Sequence, residues 1–189
     1  MFYSQATPND LFIGGLSGPG YMYSKAIPSE ALPAVIEKSR EMMEDLDLNV
    51  FEIMDYSEGA TVEGNPDLPQ SVIDQYYEGM PEVLGFLNGY APAFTFVNRD
   101  GRPMLSYDYY MSPERPAELV HADLVELAAI NDTRPYFLLM HVRQWSDISA
   151  VKKIFDGLGP AFEIVPLDRF LKMAGAEPTF ETYTRPEEQ

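Results

Sequence analysis

The feature that most constrains the fold is an alternation of short strand-like segments with amphipathic helix-like segments along nearly the whole chain. Apolar residues recur every three to four positions in the helix-like segments, whereas β-branched and aromatic residues run together in the others. The predicted helices cover residues 29–48, 69–87, 116–130, 148–158 and 166–174, and the predicted strands cover residues 11–13, 49–54, 94–97, 103–107, 136–142 and 162–165. This order favours a mostly parallel sheet with crossover helices, so we expect an α/β fold, either a layered sheet or a partial, irregular (β/α) barrel with an inserted hairpin.

Local signals predict where several of these elements begin and end. Ser29 is positioned to cap the helix over 29–48, and Pro81 kinks or splits the helix over 69–87. An Asp100-Gly101 turn between two short strands predicts the hairpin. The segment 136–142 is almost continuously apolar, as expected for a strand covered on both faces.

The charge balance excludes one large class of function. Lysine and arginine number 13 against 30 aspartates and glutamates, so the formal net charge is −17. Such acidity opposes binding to nucleic acid or to an anionic membrane surface.

Apolar residues make up 46% of the chain, which is enough for a core, and the length of 189 residues fits one domain. We expect this domain over residues 1–176 and a frayed tail over 177–189.

Several cofactor classes find no support in the sequence. Absence of cysteine excludes disulfides, thiolate nucleophiles and cysteine-based metal centres, and two distant histidines do not predict a zinc site. The Gly-x-Gly at residues 18–20 lacks the third glycine and the acid of a dinucleotide fingerprint, so no cofactor is expected. The N-terminus has neither the basic nor the apolar region of a secretory signal, so either the protein stays inside the cell or this chain belongs to something longer.

In parallel α/β folds the functional site lies beyond the carboxyl ends of the strands, so the residues that follow each strand are the candidates. The first such group is a glycine-rich loop with two tyrosines. Glycines let the backbone approach a ligand closely, and tyrosines stack on or hydrogen-bond to sugars; the alternative is a turn whose tyrosines pack on neighbouring loops. This group comprises Ser17, Gly18, Gly20, Tyr21 and Tyr23.

Carboxylates follow the second predicted strand and the hairpin. Asp55, Tyr56 and Glu58 come after the apolar run 49–54. Glycosidases use paired carboxylates as acid and as base or nucleophile, although acids on a loop can equally be solvated side chains. Asp55 directly follows the run and is the first catalytic candidate. Asp108 lies among tyrosines after the hairpin, in a stretch that lines a carbohydrate cleft or forms a packed loop.

The densest polar group follows the segment 136–142 and contains His141, Arg143, Trp145 and Asp147. Tryptophan stacks on sugars, and arginine binds hydroxyl groups. Asp147 is a second candidate acid, but together with Ser146 it is also positioned as a plain helix N-cap. His141 is either a ligand-binding group or a hydrogen-bonded core histidine.

The run from Asp10 to Pro28 resembles the signature of the GxGYxYP family of glycoside hydrolases. Gly18, Gly20, Tyr21 and Tyr23 match the named motif, and Ser24 stands where the family has proline. The similarity to the family's C-terminal domain continues through residues 136–142 and 158–171. It implies a relation to the (β/α) barrel of the glycoside hydrolase and deacetylase group, a carbohydrate substrate, a bacterial polysaccharide-degrading protein, and the upstream part of the same barrel as a partner.

Three classes of function therefore remain open. The first is a carbohydrate-active domain that binds or acts on a glycan at the strand ends, with Asp55 and Asp147 as catalytic candidates. Its predicted substrate-binding residues are Ser17, Gly18, Gly20, Tyr21, Tyr23, Tyr56, Asp108, His141, Arg143 and Trp145. The alternative is a non-catalytic carbohydrate-binding or structural domain of a larger protein, favoured by the lack of a convincing second carboxylate. A third class, an acidic protein-interaction module, requires a large exposed apolar patch.

Overall fold

A computed structural model describes residues 3–8, 10–15, 17–54, 67–89, 93–143 and 145–183. Its helices are α1 (Leu32–Asp45), α2 (Gln70–Gly79), α3 (Ala117–Ile130), α4 (Ile148–Gly157) and α5 (Leu167–Ala176). Its strands are β1 (Val50–Ile53), β2 (Gly85–Asn88), β3 (Phe96–Arg99), β4 (Arg102–Ser106), β5 (Tyr109–Met111) and β6 (Met140–Val142). In the part of the chain that it describes, no helix has the length and apolar character needed to cross a bilayer.

The strands form one four-stranded sheet and one two-stranded sheet. The larger has the order β1-β2-β4-β3, in which β1, β2 and β4 are parallel and β3 is antiparallel to β4. In the smaller sheet β5 and β6 are parallel. The prediction of a mixed α/β fold with a mostly parallel sheet is confirmed, but the strands within the described ranges do not close into a barrel.

The predicted hairpin is confirmed. Strands β3 and β4 are joined by Asp100 and Gly101, whose φ angles of 53° and 77° both lie in the left-handed region. Two consecutive left-handed residues are the requirement of a type I′ turn, whose twist matches that of the flanking strands. The Asp-Gly pair therefore carries enough local information to set this connection.

The helix predicted over 69–87, with a kink or split at Pro81, is confirmed as far as Gly79, but its second part was wrong. Helix α2 ends at Gly79, and residues 85–88 form strand β2 between β1 and β4. Pro81 cannot continue the helix, and all four residues of β2 are buried. A strand buried on both faces shows no alternation of apolar and polar residues, so its pattern resembles that of a buried helix.

Four other predicted elements differ from the structure. In place of a strand over 11–13, only Gly14 makes an isolated bridge, to Phe51 of β1. The strand over 136–142 is reduced to the half-buried β6, and no strand forms over 162–165. Helix α1 begins at Leu32 instead of Ser29, with Ala31 at the N-cap position. Each segment has the composition of the predicted element. However, neighbouring residues along the chain do not determine which strand pairs with which, or the exact residue at which a helix begins.

The core lies on both faces of the larger sheet. On one face α1 and α2 pack through residues such as Ile36 and Tyr76 against Phe51, Ile53 and Phe86. On the other face Val50, Leu87 and Leu105 pack against Leu171 of α5 and the segment 136–139. A further cluster joins α3 and α4 to β5. Both faces of the larger sheet are covered by helices or loops. A ligand site on this sheet is therefore expected at the carboxyl ends of its strands, where loops follow the strands.

The predicted tail begins at residue 177, and part of it lies within the described ranges. Residues Thr179–Thr182 form a short 3₁₀ helix, and Phe180 and Tyr183 are buried. Their rings pack on Phe96 of β3, and the Tyr183 hydroxyl contacts the backbone N–H of Phe137. Residues 177–183 therefore contribute to the core on the α5 face of the sheet.

Candidate functional site

The glycine-rich loop lies along β1 because its first residues pair with that strand. The backbone N–H of Gly14 donates to the carbonyl of Val50 at 2.9 Å, and the N–H of Glu52 donates to the carbonyl of Gly14 at 2.7 Å. Ser17 is fully buried, and its hydroxyl donates to the carbonyl of Met54 at 3.1 Å and accepts from the N–H of Met54 at 2.8 Å. The loop is thus fixed to the carboxyl end of β1.

Gly18 has a packing role that no other residue can take. Its φ of +115° lies outside the range that L side chains adopt, and a Cβ there would lie 2.1 Å from the Ser39 hydroxyl oxygen on α1. Gly20 lies exposed in the bend that follows. The first motif glycine therefore brings the loop against α1, while the second leaves open surface.

The motif tyrosines lie after this bend. Tyr21 is 64% exposed, Tyr23 is half-buried, and their rings meet edge to face with centroids 6.1 Å apart. Ser24, at the position where the family pattern has proline, is buried and hydrogen-bonds to the Tyr76 hydroxyl of α2 at 2.7 Å. The exposed Tyr21 ring is available to a ligand, and Ser24 anchors the segment that carries it.

A cluster of aromatic and cationic side chains lies on β5 and β6 and just beyond the carboxyl ends of β4 and β6. We call it the strand-end cluster, and it comprises Tyr107, Tyr110, His141, Arg143 and Trp145. The His141 ring lies 4.9 Å from the Tyr107 ring and 5.7 Å from the Tyr110 ring. The Arg143 guanidinium lies 4.2 Å from the centroid of Trp145 and 6.0 Å from that of Tyr110. The structure thus brings together three residues predicted from sequence, His141, Arg143 and Trp145, and adds two tyrosines.

The electrostatics of the strand-end cluster favour an uncharged imidazole. Burial, with a smaller effect of the nearby Arg143 charge, lowers the pKa of His141 to about 4. At neutral pH His141 is therefore neutral and able both to donate and to accept a hydrogen bond. Arg143 carries the positive charge of the cluster and stacks on an indole that is 53% exposed.

Asp108 lies at the junction of β4 and β5. Its Oδ1 accepts a hydrogen bond from the Tyr136 hydroxyl at 3.0 Å, and its Oδ2 accepts one from the N–H of Leu139 at 2.8 Å. Burial raises the pKa of Asp108 to about 7, against the opposing effect of these hydrogen bonds. The carboxyl therefore joins the hairpin side of the sheet to the segment before β6 and titrates near neutral pH.

Glu52 is a residue that the sequence analysis missed. It lies within β1 between Phe51 and Ile53, and its Oε1 accepts a hydrogen bond from the Tyr107 hydroxyl at 2.8 Å. Burial raises the pKa of the Glu52 carboxyl. The available signal was an ionisable residue inside an otherwise apolar strand, which is a local inconsistency typical of functional positions.

The two catalytic candidates have different outcomes. Asp147 is the N-cap of α4, where its carboxylate accepts a hydrogen bond from the N–H of Ser149 at 2.9 Å, so the predicted capping role is confirmed. Its role as an acid stays a prediction.

Asp55, Tyr56 and Glu58 lie outside the described residues. Within those residues, no set of three or more histidine, aspartate or glutamate side chains is arranged to hold a metal ion.

Comparison with known proteins identifies the family. A family profile described as "GxGYxYP putative glycoside hydrolase C-terminal domain" matches residues 1–175. The chain belongs to this family. The GxGYxYP motif positions are those of the loop built on Gly18, Gly20, Tyr21 and Tyr23. No curated protein matches the chain.

One solved structure shares the fold of this GxGYxYP domain. It is the crystal structure of a putative hydrolase from Bacteroides thetaiotaomicron VPI-5482, with a TM-score of 0.72 and 19% sequence identity. The similarity covers 93% of this chain and 35% of that one. The GxGYxYP domain thus spans about a third of the length of the solved hydrolase.

Proposed function

We propose that this chain is a carbohydrate-active domain of the glycoside hydrolase type that binds or acts on a glycan at the carboxyl ends of its strands. Family membership supports the substrate class, and the parallel arrangement of β1, β2 and β4 supports the position of the site. The bacterial source of the solved relative fits a polysaccharide-degrading protein.

The observation that carries this proposal is the Trp145 platform. The indole is about half exposed, and the Arg143 guanidinium lies over its ring. An aromatic ring held in this way offers its remaining surface to the apolar face of a sugar. The neutral His141 and the Tyr110 hydroxyl lie in the same cluster and provide the paired donors and acceptors that sugar hydroxyls need.

The net charge narrows the expected ligand to neutral glycans. A chain of net charge −17 repels polyanions at long range, and Arg143 is the cation of the strand-end cluster. Uronate-rich or sulfated polysaccharides would have to overcome this repulsion. Neutral polysaccharides such as xylan, β-glucan and galactomannan are therefore the ligands to test first.

The proposed architecture is part of a (β/α) barrel completed by an upstream part of a longer protein. An apolar cavity of about 660 Å³ lies between residues 134–142 and residues 158–173. Residues 162–165, predicted as a strand, border this cavity and have no strand partner among the described residues. Further barrel strands would fill the cavity and complete the pairing.

A non-catalytic carbohydrate-binding domain is the second candidate, and one observation favours it. The Asp147 carboxylate caps α4, so it is engaged with the backbone of Ser149. Catalysis would then depend on Asp55 with a carboxylate from the upstream part. An Asp55→Asn variant of the longer protein that turns over its glycan at the wild-type rate would remove Asp55 from the catalytic set.

The binding proposal is tested by titrating the chain with xylan, β-glucan and galactomannan while following tryptophan fluorescence. Trp145 is the single tryptophan of the sequence, so the emission reports on this site alone. We expect at least one polysaccharide to shift the emission, and Trp145→Ala to abolish retention of the protein in gels that contain that polysaccharide. Ile148→Ala is the matched control, since Ile148 is 76% exposed nearby and lies outside the strand-end cluster. Equal retention of the Trp145→Ala variant would contradict the proposed site.

A further inference from the structure

The Glu52 carboxyl is not explained by the packing of the core. Its neighbours along β1, Phe51 and Ile53, are completely buried in the cluster beneath α1 and α2. Because side chains alternate along a strand, Glu52 faces the opposite side of the sheet, together with Val50. Among the described residues, no cationic side chain pairs with Glu52. Burying such a carboxyl costs free energy, and burial accordingly raises the pKa of Glu52.

The glycine-rich loop is fixed directly over this side chain. Besides the pairing of Gly14 with the Glu52 N–H, the N–H of Ser17 donates to the Glu52 carbonyl at 3.1 Å. Gly15 lies between these two anchors, and a Cβ at Gly15 would lie 3.2 Å from Glu52 Oε2. A side chain at Gly15 would therefore crowd the carboxyl, and the backbone there has no positive φ that would itself require glycine.

The other carboxyl oxygen joins Glu52 to the strand-end cluster. Oε1 accepts the Tyr107 hydroxyl, and the Tyr107 ring packs on His141. Among the described residues, Tyr107 is the titratable group in contact with the carboxyl, followed by His141 against Tyr107 and by Arg143 at the end of β6. Glu52 thus links the motif loop on one side to the strand-end cluster on the other.

We propose that the Glu52 carboxyl contacts the bound glycan through Oε2 and that the glycan reaches it across Gly15. In its protonated form the carboxyl can donate a hydrogen bond to a sugar oxygen. Tyr107 positions the carboxyl by holding Oε1, so Oε2 is directed towards Gly15. This role of Glu52 rests on the proposed function, and it adds the ligand-contacting acid that the sequence analysis did not find.

The test measures dissociation constants for xylan and β-glucan by retardation in polysaccharide-containing native gels, from about pH 5 to about pH 8, for four chains: wild type, Glu52→Gln, Gly15→Ala and Gly159→Ala. Glutamine keeps a donor of similar shape that does not titrate. Alanine at Gly15 narrows the approach to the carboxyl without changing any charge. Gly159→Ala is the matched control, because a Cβ there meets no atom within 4 Å.

We expect wild-type binding to weaken as the pH rises, because the Glu52 carboxyl loses its proton, whereas binding by Glu52→Gln stays constant. Gly15→Ala should bind about tenfold more weakly than Gly159→Ala at low pH. Circular dichroism checks that each variant is folded, and if Gly15→Ala does not fold, the pH profile of Glu52→Gln decides.

The outcomes separate the two proposals. Binding by wild type together with the same pH profile in Glu52→Gln overturns the role of Glu52 and leaves the proposed function standing. Absence of binding by all four chains overturns the proposed function and the role of Glu52 with it. A change in the melting temperature of Glu52→Gln with unchanged affinity shows that the carboxyl only anchors Tyr107, and it overturns the role as well.

Discussion

Replacing Asp108 by asparagine should remove the pH dependence of the stability that this site contributes. In the folded chain the Asp108 carboxyl is held by the Tyr136 hydroxyl and the Leu139 N–H, and burial raises its pKa to about 7. In the unfolded chain its pKa is about 3.9. The folded pKa is the higher one, so the stability contributed by the protonated group is fully present below about pH 4 and is lost as the pH rises through about 7.

The magnitude follows from the difference between the two pKa values. One pH unit corresponds to about 1.4 kcal/mol, so a rise from the ordinary value to about 7 amounts to about 4 kcal/mol of lost stability by about pH 8. Asparagine does not titrate, but its amide nitrogen replaces one of the two acceptor oxygens. The amide N–H₂ would then face another donor, either the Tyr136 hydroxyl or the Leu139 N–H, and the lost hydrogen bond lowers the stability by about 1–3 kcal/mol at every pH.

The assay is urea unfolding of wild type and Asp108→Asn at several values between about pH 4 and about pH 8. We expect Asp108→Asn to be less stable than wild type at about pH 4. Its free energy of unfolding relative to wild type should then rise by up to about 4 kcal/mol by about pH 8. Asp74→Asn is the matched control, because the half-buried Asp74 pairs with Arg99, which lowers the pKa of Asp74. Its stabilising effect is fully present above about pH 4 and is lost only in stronger acid, so Asp74→Asn should be less stable than wild type by a constant amount across this range.

A constant difference in unfolding free energy between wild type and Asp108→Asn across this range would refute the reasoning. It would mean that Asp108 titrates at the same pH in the folded and unfolded chains. The same sign of change in Asp108→Asn and Asp74→Asn would point instead to general relief of the net charge of −17, since both variants remove one carboxylate.

Three further predictions concern the loop, the strand-end cluster and α4. Gly18→Ala should lower the free energy of unfolding by about 1–3 kcal/mol or more, because Gly18 has a positive φ and a Cβ there would clash with the Ser39 hydroxyl. Adding Ser39→Ala should recover part of this loss, as measured by thermal unfolding. The ring protons of His141 should titrate in NMR spectra with a midpoint near pH 4. The stability that the neutral ring contributes should be fully present above about pH 6.5 and should be lost as the pH falls through about 4. A midpoint at or above about 6.5 would contradict a buried, neutral ring. Asp147→Ala should cost about 1 kcal/mol in urea unfolding and Asp147→Ser much less, whereas equal losses would contradict the N-cap role.

Several parts of the site were predictable because neighbouring residues along the chain encode them. The group His141, Arg143 and Trp145 follows one strand-like segment, so its members lie within five residues of each other and meet at the end of β6. The Asp147 cap was predictable for the same reason, since a capping side chain bonds to an N–H two residues away. The contact of Tyr107 with His141 was not, because it joins residues 34 positions apart through the pairing of β5 with β6.

By itself, the sequence determined the features that depend on short-range physics. These are the helical periodicity of α1, α3, α4 and α5, the Asp100-Gly101 turn, and the net charge that opposes polyanionic ligands. Only the tertiary structure decided that residues 85–88 form a central strand, that no strand forms over 162–165, and that Glu52 lies between Gly15 and Tyr107. Strand pairing and the burial of a carboxyl depend on partners distant in sequence, and the free energy of those contacts outweighs local propensity.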